Sequence, residues 1–426
     1  MPSSPNSAEP EPGEPPPMFD AEASLNSLEP IGWKLGLDRM NALCDELGRP
    51  QDRFESIHIV GTNGKSSVAR MSAALIEAHG RKSGCSVSPH ISHWSERVMA
   101  GGQELSPEVF SAAVERAVEA ADLVNGTFEE GEVVTQFELA TAAAFLAMAD
   151  AGVEVAAIEA GLGGRLDATN TINSKVTVLT SIGLDHTEYL GETELEIAGE
   201  KLAVLKPGTT LVLGHLAPEI ERFARDHAER LDCEVRAAGD GGDVFEHHIA
   251  ARYQRANFAV AELAVESILG EVDHNIVERV AGEVVVPGRL EQVGHNPPFF
   301  VDVAHNRPGA AALAGSLPEI AEGRPVVAVI GVLTDKDAEG MLAELAGVID
   351  TAILTELPAK ALADWGRPGA RSFPADELKA FADDLGMNAE ALPNTREALS
   401  RAGSIARERD GLVLVAGSHF LLSAVE

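Results

Sequence analysis

Two stretches of this chain are continuous apolar runs suited to strands buried on both faces, and they limit what it can fold into. EVAAIEAG (154–161) and KVTVLTSIG (175–183) have that form, and SIHIVG (56–61) is a further strand-like run that leads into a helix. Such strands need cover above and below, and the intervening segments can supply it. Residues 66–79 carry Val68, Met71, Leu75 and Ile76 at helical spacing, and FELATAAAFLAMADAG (137–152) reads as a helix. TTLVLG (209–214) and a helix near 217–231 continue the alternation. Signal is weaker over 236–255, where GDGGD marks a turn, and helices follow near 256–269 and 274–281.

A second block then begins. Strands are predicted at 299–303, 326–331, 351–355 and 412–416, with helices near 307–320, 336–347, 376–384 and 395–408. Repeated strand–helix alternation specifies an α/β fold with parallel sheets covered by helices. A chain of 426 residues is long enough for two domains. Pro287, Gly288, Pro297 and Pro298 cluster where one block gives way to the next. The expected division is a leader over 1–22, a first domain over 23–292 and a second over 293–426, with no internal repeat.

The 33 basic and 67 acidic residues leave a net charge of −34. That field repels nucleic acid and anionic membrane surfaces, so neither is an expected partner. An anionic substrate would need local cations or a metal. Cys44, Cys85 and Cys233 lie far apart, which argues against a disulfide framework or a zinc site and fits a reducing cytosol. The opening MPSSPNSAEPEPGEPPP has neither the basic start nor the apolar centre of a signal peptide and reads as disordered. A cytoplasmic location is expected.

IHIVGTNGKSSVAR (57–70) delivers a strand into glycine, lysine and paired serines. Gly61 and Gly64 let backbone N–H groups approach an anion, and the following helix adds its dipole. Lys65 can reach terminal phosphates, and the hydroxyl of Ser66 or Ser67 can face a phosphate or its metal. The bland alternative is a glycine turn with a solvated lysine. Ser88 in SVSPH closes a strand, as many turn serines do. Glu159 follows an apolar strand, where a buried ion is costly unless paired or metal-bound. GLGGRLDATN (161–170) then carries Arg165 and Asp167, either ligand contacts or a mutual salt bridge. Asp185 and His186 end the next strand, and strand exits of open parallel sheets are where ligands bind. Ser88, Glu159 and His186 would suit Mg²⁺, which keeps waters and takes few protein ligands. Lys201 reads as a helix lysine, Arg289 as an anion or ribose contact, and Asn306 as a possible helix cap. Asp302, His305 and Ser418 stand at strand ends of the second block.

The joint order of WKLGLDR (33–39), GTNGKSS, SPH, TQFE, EAGLGGRLDATN, SIGLDHTEYLG, PGR, DVAHN, GVLTDKD and the late GS resembles the folylpolyglutamate synthase/dihydrofolate synthase family, a branch of the Mur-type ATP-dependent amide ligases. The resemblance covers most of the chain after the leader. It implies an N-terminal P-loop ATPase domain and a smaller C-terminal Rossmann-like domain, with the active site between them. By matching positions, Gly61, Thr62, Asn63, Gly64, Lys65, Ser66 and Ser67 would hold ATP phosphates, and Asn257, Arg289 and Asp302 would contact the nucleotide. Ser88, Glu159, His186 and a carbamylated Lys201 would hold two Mg²⁺. His305 and Ser418 would lie near the incoming glutamate. Thr135, Gln136, Phe137, Glu138, Leu166, Asp167 and Ala168 would meet the pterin-bearing substrate.

Lys65, Lys201 and His305 are thereby the implied catalytic set. ATP, L-glutamate and dihydropteroate or a reduced folate are the implied partners of a monomer. Ser66 departs from the family's GTNGKGS, and IAARYQRANFA departs from its L-x-G-x-H-Q pattern before Asn257. The alternatives are a Mur-type ligase acting on another carboxylate and a P-loop ATPase without ligase activity.

Overall fold

The computed structural model describes residues 19–28, 36–129, 131–365 and 369–425. The first sheet contains Glu55–Val60 (β1), Ser83–Ser86 (β2), Val98–Ala100 (β3), Gln103–Glu104 (β4), Val155–Glu159 (β5), Val176–Leu179 (β6), Thr210–Leu213 (β7) and Glu234–Ala237 (β8). Their order is β4-β3-β2-β5-β1-β6-β7-β8, parallel from β2 through β8. Arg289–His295 (β9), Pro298–Asp302 (β10), Val326–Ile330 (β11), Thr351–Leu354 (β12), Ala389–Ala391 (β13) and Leu412–Ala416 (β14) form the second. Its order is β13-β12-β11-β14-β10-β9, and only β9 runs antiparallel to its neighbour.

The apolar runs form the centres of both sheets because they alone can be covered twice. Every residue of β5, β6, β11, β12 and β14 is buried. The helix Lys65–Ala78 packs Val68, Met71, Leu75 and Ile76 with Phe258, Ala261 and Val265 of the helix Arg252–Leu269, over Ile57, Ile59 and Val178. The helix Gln136–Asp150 is buried almost all round, sharing a core with the helix Pro107–Asn125. Among the described residues no helix is long and apolar enough to cross a membrane.

The strands that periodicity missed are short or lie at edges. β8 is half exposed, and β9 pairs on one side only. The helix Pro107–Asn125 received no assignment either, although the Ser106 cap and Pro107 announce it. The expected division at 292/293 falls inside β9, whose pairing begins at Arg289 opposite Asp302, so the chain passes between sheets at Pro287–Gly288. The expected leader also overruns the helix Ala21–Asn26, which Asp20 caps and which buries Ala21 and Leu25. The rest of the leader, residues 1–18, and Trp33–Leu35 of the WKLGLDR segment lie outside the described residues.

A buried ion pair fastens the helix Asp38–Glu46 to the Gln136–Asp150 helix: Arg39 Nε and Nη2 each lie 3.1 Å from a Glu138 oxygen. Glu138 also completes a capping box with Thr135. Removing one partner of a buried pair leaves an uncompensated charge. Glu138→Ala should therefore lose about 3–5 kcal/mol of stability, read as a fall in the urea midpoint of the first unfolding transition.

Candidate active site

Both sheets point the carboxyl ends of their parallel strands at one cavity of about 210 Å³. From the first sheet come the loop after β1, Ser88 after β2, Glu159 at the end of β5, and Asp185 and His186 after β6. From the second come Arg289, Asp302 and His305, while Lys201, Tyr253 and Asn257 enter from helices.

The loop is held from beneath by the chain after β6. Thr62 N donates to Ser181 O at 2.8 Å, Asn63 N to Ser181 Oγ at 3.0 Å, and Thr180 Oγ1 to Asn63 O at 2.6 Å. Glycine is required at both ends. A Cβ on Gly61 would lie 1.9 Å from Thr180 Oγ1, and one on Gly64 would lie 2.6 Å from Asn257 Oδ1. Gly64 has φ +86° and starts the helix that Lys65 opens, so free N–H groups and the helix dipole face the cavity. Lys65 Nζ donates to Thr62 O at 3.1 Å, folded back over its own loop.

A network across the two sheets closes one wall. Asn63 and Asn306 exchange reciprocal amide hydrogen bonds of 3.0 and 3.1 Å. Asn306 also donates to Asp185 Oδ2 at 2.8 Å, and Lys336 Nζ lies 2.7 Å from Asp185 Oδ1. Burial alone would raise the Asp185 carboxyl, but His305, His186 and Lys336 together hold it well below the usual range. His305 Nδ1 lies 3.0 Å from Val303 O, which can only accept. With Nδ1–H directed there, Nε2 lies 3.7 Å from Asp185 Oδ2. Asp302 is buried and accepts from Tyr253 Oη at 2.5 Å, Leu290 N at 2.9 Å and Ala304 N at 2.8 Å. Burial raises its carboxyl, and burial also raises the Tyr253 phenol that donates to it.

The expected metal ligands converge on the same cavity. Burial raises the Glu159 carboxyl, against the pull of nearby Lys65, and lowers His186 to about 4, so that imidazole is neutral at pH 7. Lys201 is 4% exposed, and desolvation with the Lys65 charge lowers it to about 7. Among the described residues no three His, Cys, Asp or Glu side chains converge as a ready cage. One carboxylate, one imidazole and one hydroxyl nevertheless fit a hard divalent cation that completes its shell with phosphate and water.

The remaining expected contacts lie elsewhere. Thr135 and Glu138 are engaged in their capping box, and Gln136 Nε2 donates to Leu25 O at 2.8 Å. Phe137 instead lines a smaller cavity of about 20 Å³ that adjoins the first through Ser88 and Glu159. Asp167 is buried and accepts from Leu162 N at 2.8 Å and from Thr169, holding the bend in shape. Arg165 pairs with Glu200 at 3.1 Å, so the salt bridge weighed between Arg165 and Asp167 is replaced by that one. Leu166 is exposed, Ala168 is buried, and Ser418 caps the helix His419–Leu422. Asn306 is indeed a cap, accepting from Gly309 N at 2.8 Å. The roles of Asp185, Lys336 and Tyr253 in joining the sheets were not anticipated. Asp185 and Lys336 stood inside quoted motifs, but nothing local links residues 151 positions apart.

Residues 59–276 match the Mur ligase middle domain, and residues 288–419 match the Mur ligase glutamate ligase domain. The dihydrofolate synthase/folylpolyglutamate synthase of Mycobacterium tuberculosis is 35% identical, over 90% of this chain and 85% of its own. This chain belongs to the dihydrofolate synthase/folylpolyglutamate synthase family. Its fold agrees with solved members of that family. The Mycobacterium tuberculosis folylpolyglutamate synthase complexed with ADP superposes with a TM-score of 0.84 at 33% identity, covering 95% of this chain and 96% of that one. A bifunctional folylpolyglutamate synthase/dihydrofolate synthase from Yersinia pestis, complexed with AMPPNP and Mn, gives 0.80 at 27%, covering 97% and 98%.

For this family member the buried lysine makes a pH-dependent prediction. Lys201 falls from 10.5 to about 7 on folding, so the folded state resists protonation and its cost is full below pH 7. That cost disappears as the pH climbs toward the unfolded value. In metal-free, CO₂-depleted buffer, Lys201→Met should be more stable than the parent at pH 7, on the order of a few kcal/mol. The gap should narrow steadily by pH 9.5 in urea denaturation.

Proposed function

We propose that the chain uses ATP to join L-glutamate by an amide bond to dihydropteroate, forming dihydrofolate, and to the glutamate tail of folates. The observation that carries this reading is the meeting of Lys65, Glu159, His186, Lys201, Arg289 and His305 around one cavity between the sheets. An ATPase without ligase activity has no use for His305, the member of that set assigned to the amine. The glycine-rich DATN bend and the family membership favour a folate over another carboxylate.

In the reaction, a substrate carboxylate attacks the γ-phosphorus of ATP, and the bond to ADP breaks to leave an acyl phosphate. The glutamate nitrogen then attacks the acyl carbon, phosphate departs with the C–O bond, and the surplus proton leaves nitrogen. Phosphoryl transfer needs chiefly positioning and charge neutralisation. The loop N–H groups and Lys65 hold the phosphates, while Asn257, Arg289 and Asp302 hold the nucleoside side. His305, whose Nδ1 is held by Val303 O and whose Nε2 lies 3.7 Å from Asp185 Oδ2, takes the amine proton. Closure of the two halves over the cavity keeps water from the acyl phosphate.

Ser88, Glu159, His186 and Lys201 as its carbamate would hold two Mg²⁺. When bound, these ions neutralise charge on the transferring phosphoryl group. A lysine near neutrality suits carbamylation, since only the free amine adds CO₂, and the product replaces a repelling cation with oxygen donors. Phe137, Leu166 and Ala168 would meet the pterin, and Ser418 the glutamate. We read the protein as a cytoplasmic monomer whose two catalytic halves divide near Pro287–Gly288.

Phosphate release from ATP should require both glutamate and dihydropteroate or tetrahydrofolate. Release indifferent to either co-substrate would sink the ligase reading. Lys65→Ala should lose at least about 100-fold in turnover, the scale of removing one transition-state donor, with its circular dichroism unchanged.

A further inference from the structure

The loop places two adjacent hydroxyls at the start of the helix Lys65–Ala78, and they are used differently. Ser66 Oγ lies 3.1 Å from Glu159 Oε1. Ser67 also lines the cavity, but among the described residues its buried Oγ has no partner. A serine hydroxyl has one proton, and a carboxylate only accepts, so the Ser66 proton is committed to Glu159. The other oxygen, Oε2, accepts from Ser88 N at 2.9 Å. Glu159 is thus clamped by one bond per oxygen, from two elements that meet only in the folded chain.

We propose that Ser66 is a positioning residue for Glu159, fixing the carboxylate that receives the divalent cation rather than contacting phosphate itself. The inference rests on the reading of Glu159 as a metal ligand given above. A carboxylate turns as one planar group about its last torsion, and a bond to Oε2 alone restrains that rotation less than one bond on each oxygen does. The Ser66 bond supplies the second restraint. Because Ser66 follows Lys65 directly, it also ties the metal-holding side chain to the phosphate-holding loop, so the two move together. Hydrogen bonds of this kind orient ligands and tune affinity, and losing one typically costs about 10- to 100-fold in metal binding.

The test is Mn²⁺ binding to the full-length protein, followed by the electron paramagnetic resonance of free Mn²⁺ beside saturating non-hydrolysable ATP analogue. Analogue affinity is measured separately in EDTA. Ser66→Ala should weaken Mn²⁺ by about 10- to 100-fold and leave affinity in EDTA unchanged, while Ser66→Thr, which keeps the hydroxyl, should stay near the parent. Unchanged Mn²⁺ affinity in Ser66→Ala overturns the proposal. So does a loss confined to analogue affinity in EDTA, which would make Ser66 a phosphate contact. If Glu159→Gln leaves Mn²⁺ binding intact, it is the metal-ligand reading of Glu159 that fails, a result distinct from either. Should Ser66→Ala not fold, Ser66→Gly lacks the same hydroxyl and decides the question.

Discussion

The carboxylate of Asp185 is the contact on which the arrangement depends. It sits after β6 of the first sheet, yet its two oxygens are taken by Lys336 and Asn306 of the second. Buried ions are tolerated only when paired and fully hydrogen-bonded, so this group is satisfied only while the two halves face each other. Asn306 passes the same constraint to Asn63 in the phosphate loop. The position of the loop is therefore set from both sheets at once. Tyr253 makes a second link, reaching from its helix to Asp302 at the end of β10.

The chemistry of the cavity follows from what burial does to each group placed there. Desolvation discourages charge on Glu159, His186 and Lys201, while Asp185 stays ionised because cations and imidazoles surround it. A neutral imidazole and a near-neutral amine are the forms a metal site and a carbamate require. In a protein of net charge −34, Lys65, Lys201 and Arg289 face this cavity together.

Much of this was legible in the sequence because it is local. Strand cores declared themselves as unbroken apolar runs, and the residues just beyond them, from Gly61–Ser67 to His305, do line the cavity. What stayed hidden depends on contacts distant in sequence. Nothing near Lys336 names Asp185 as its partner, and nothing near Tyr253 names Asp302. Other signals were present but pointed two ways. Thr135-x-x-Glu138 is a capping-box pattern, and the structure uses it as one, with Arg39 supplying a countercharge that no spacing rule finds. Arg165 and Asp167 were close enough in sequence to pair, but a tight bend turns Asp167 inward to backbone N–H groups and Arg165 outward to Glu200.

The chain passes from one sheet to the other at Pro287–Gly288, with β1–β8 wholly before it and β9–β14 wholly after. The two half-sites are thus joined by a single short tether, and their meeting is an intramolecular encounter. A short connection sets an effective concentration in the millimolar range or above. Contacts such as Asp185–Lys336 need not supply the affinity that two separate proteins would require. They need only fix the arrangement of two halves that the chain already keeps close together.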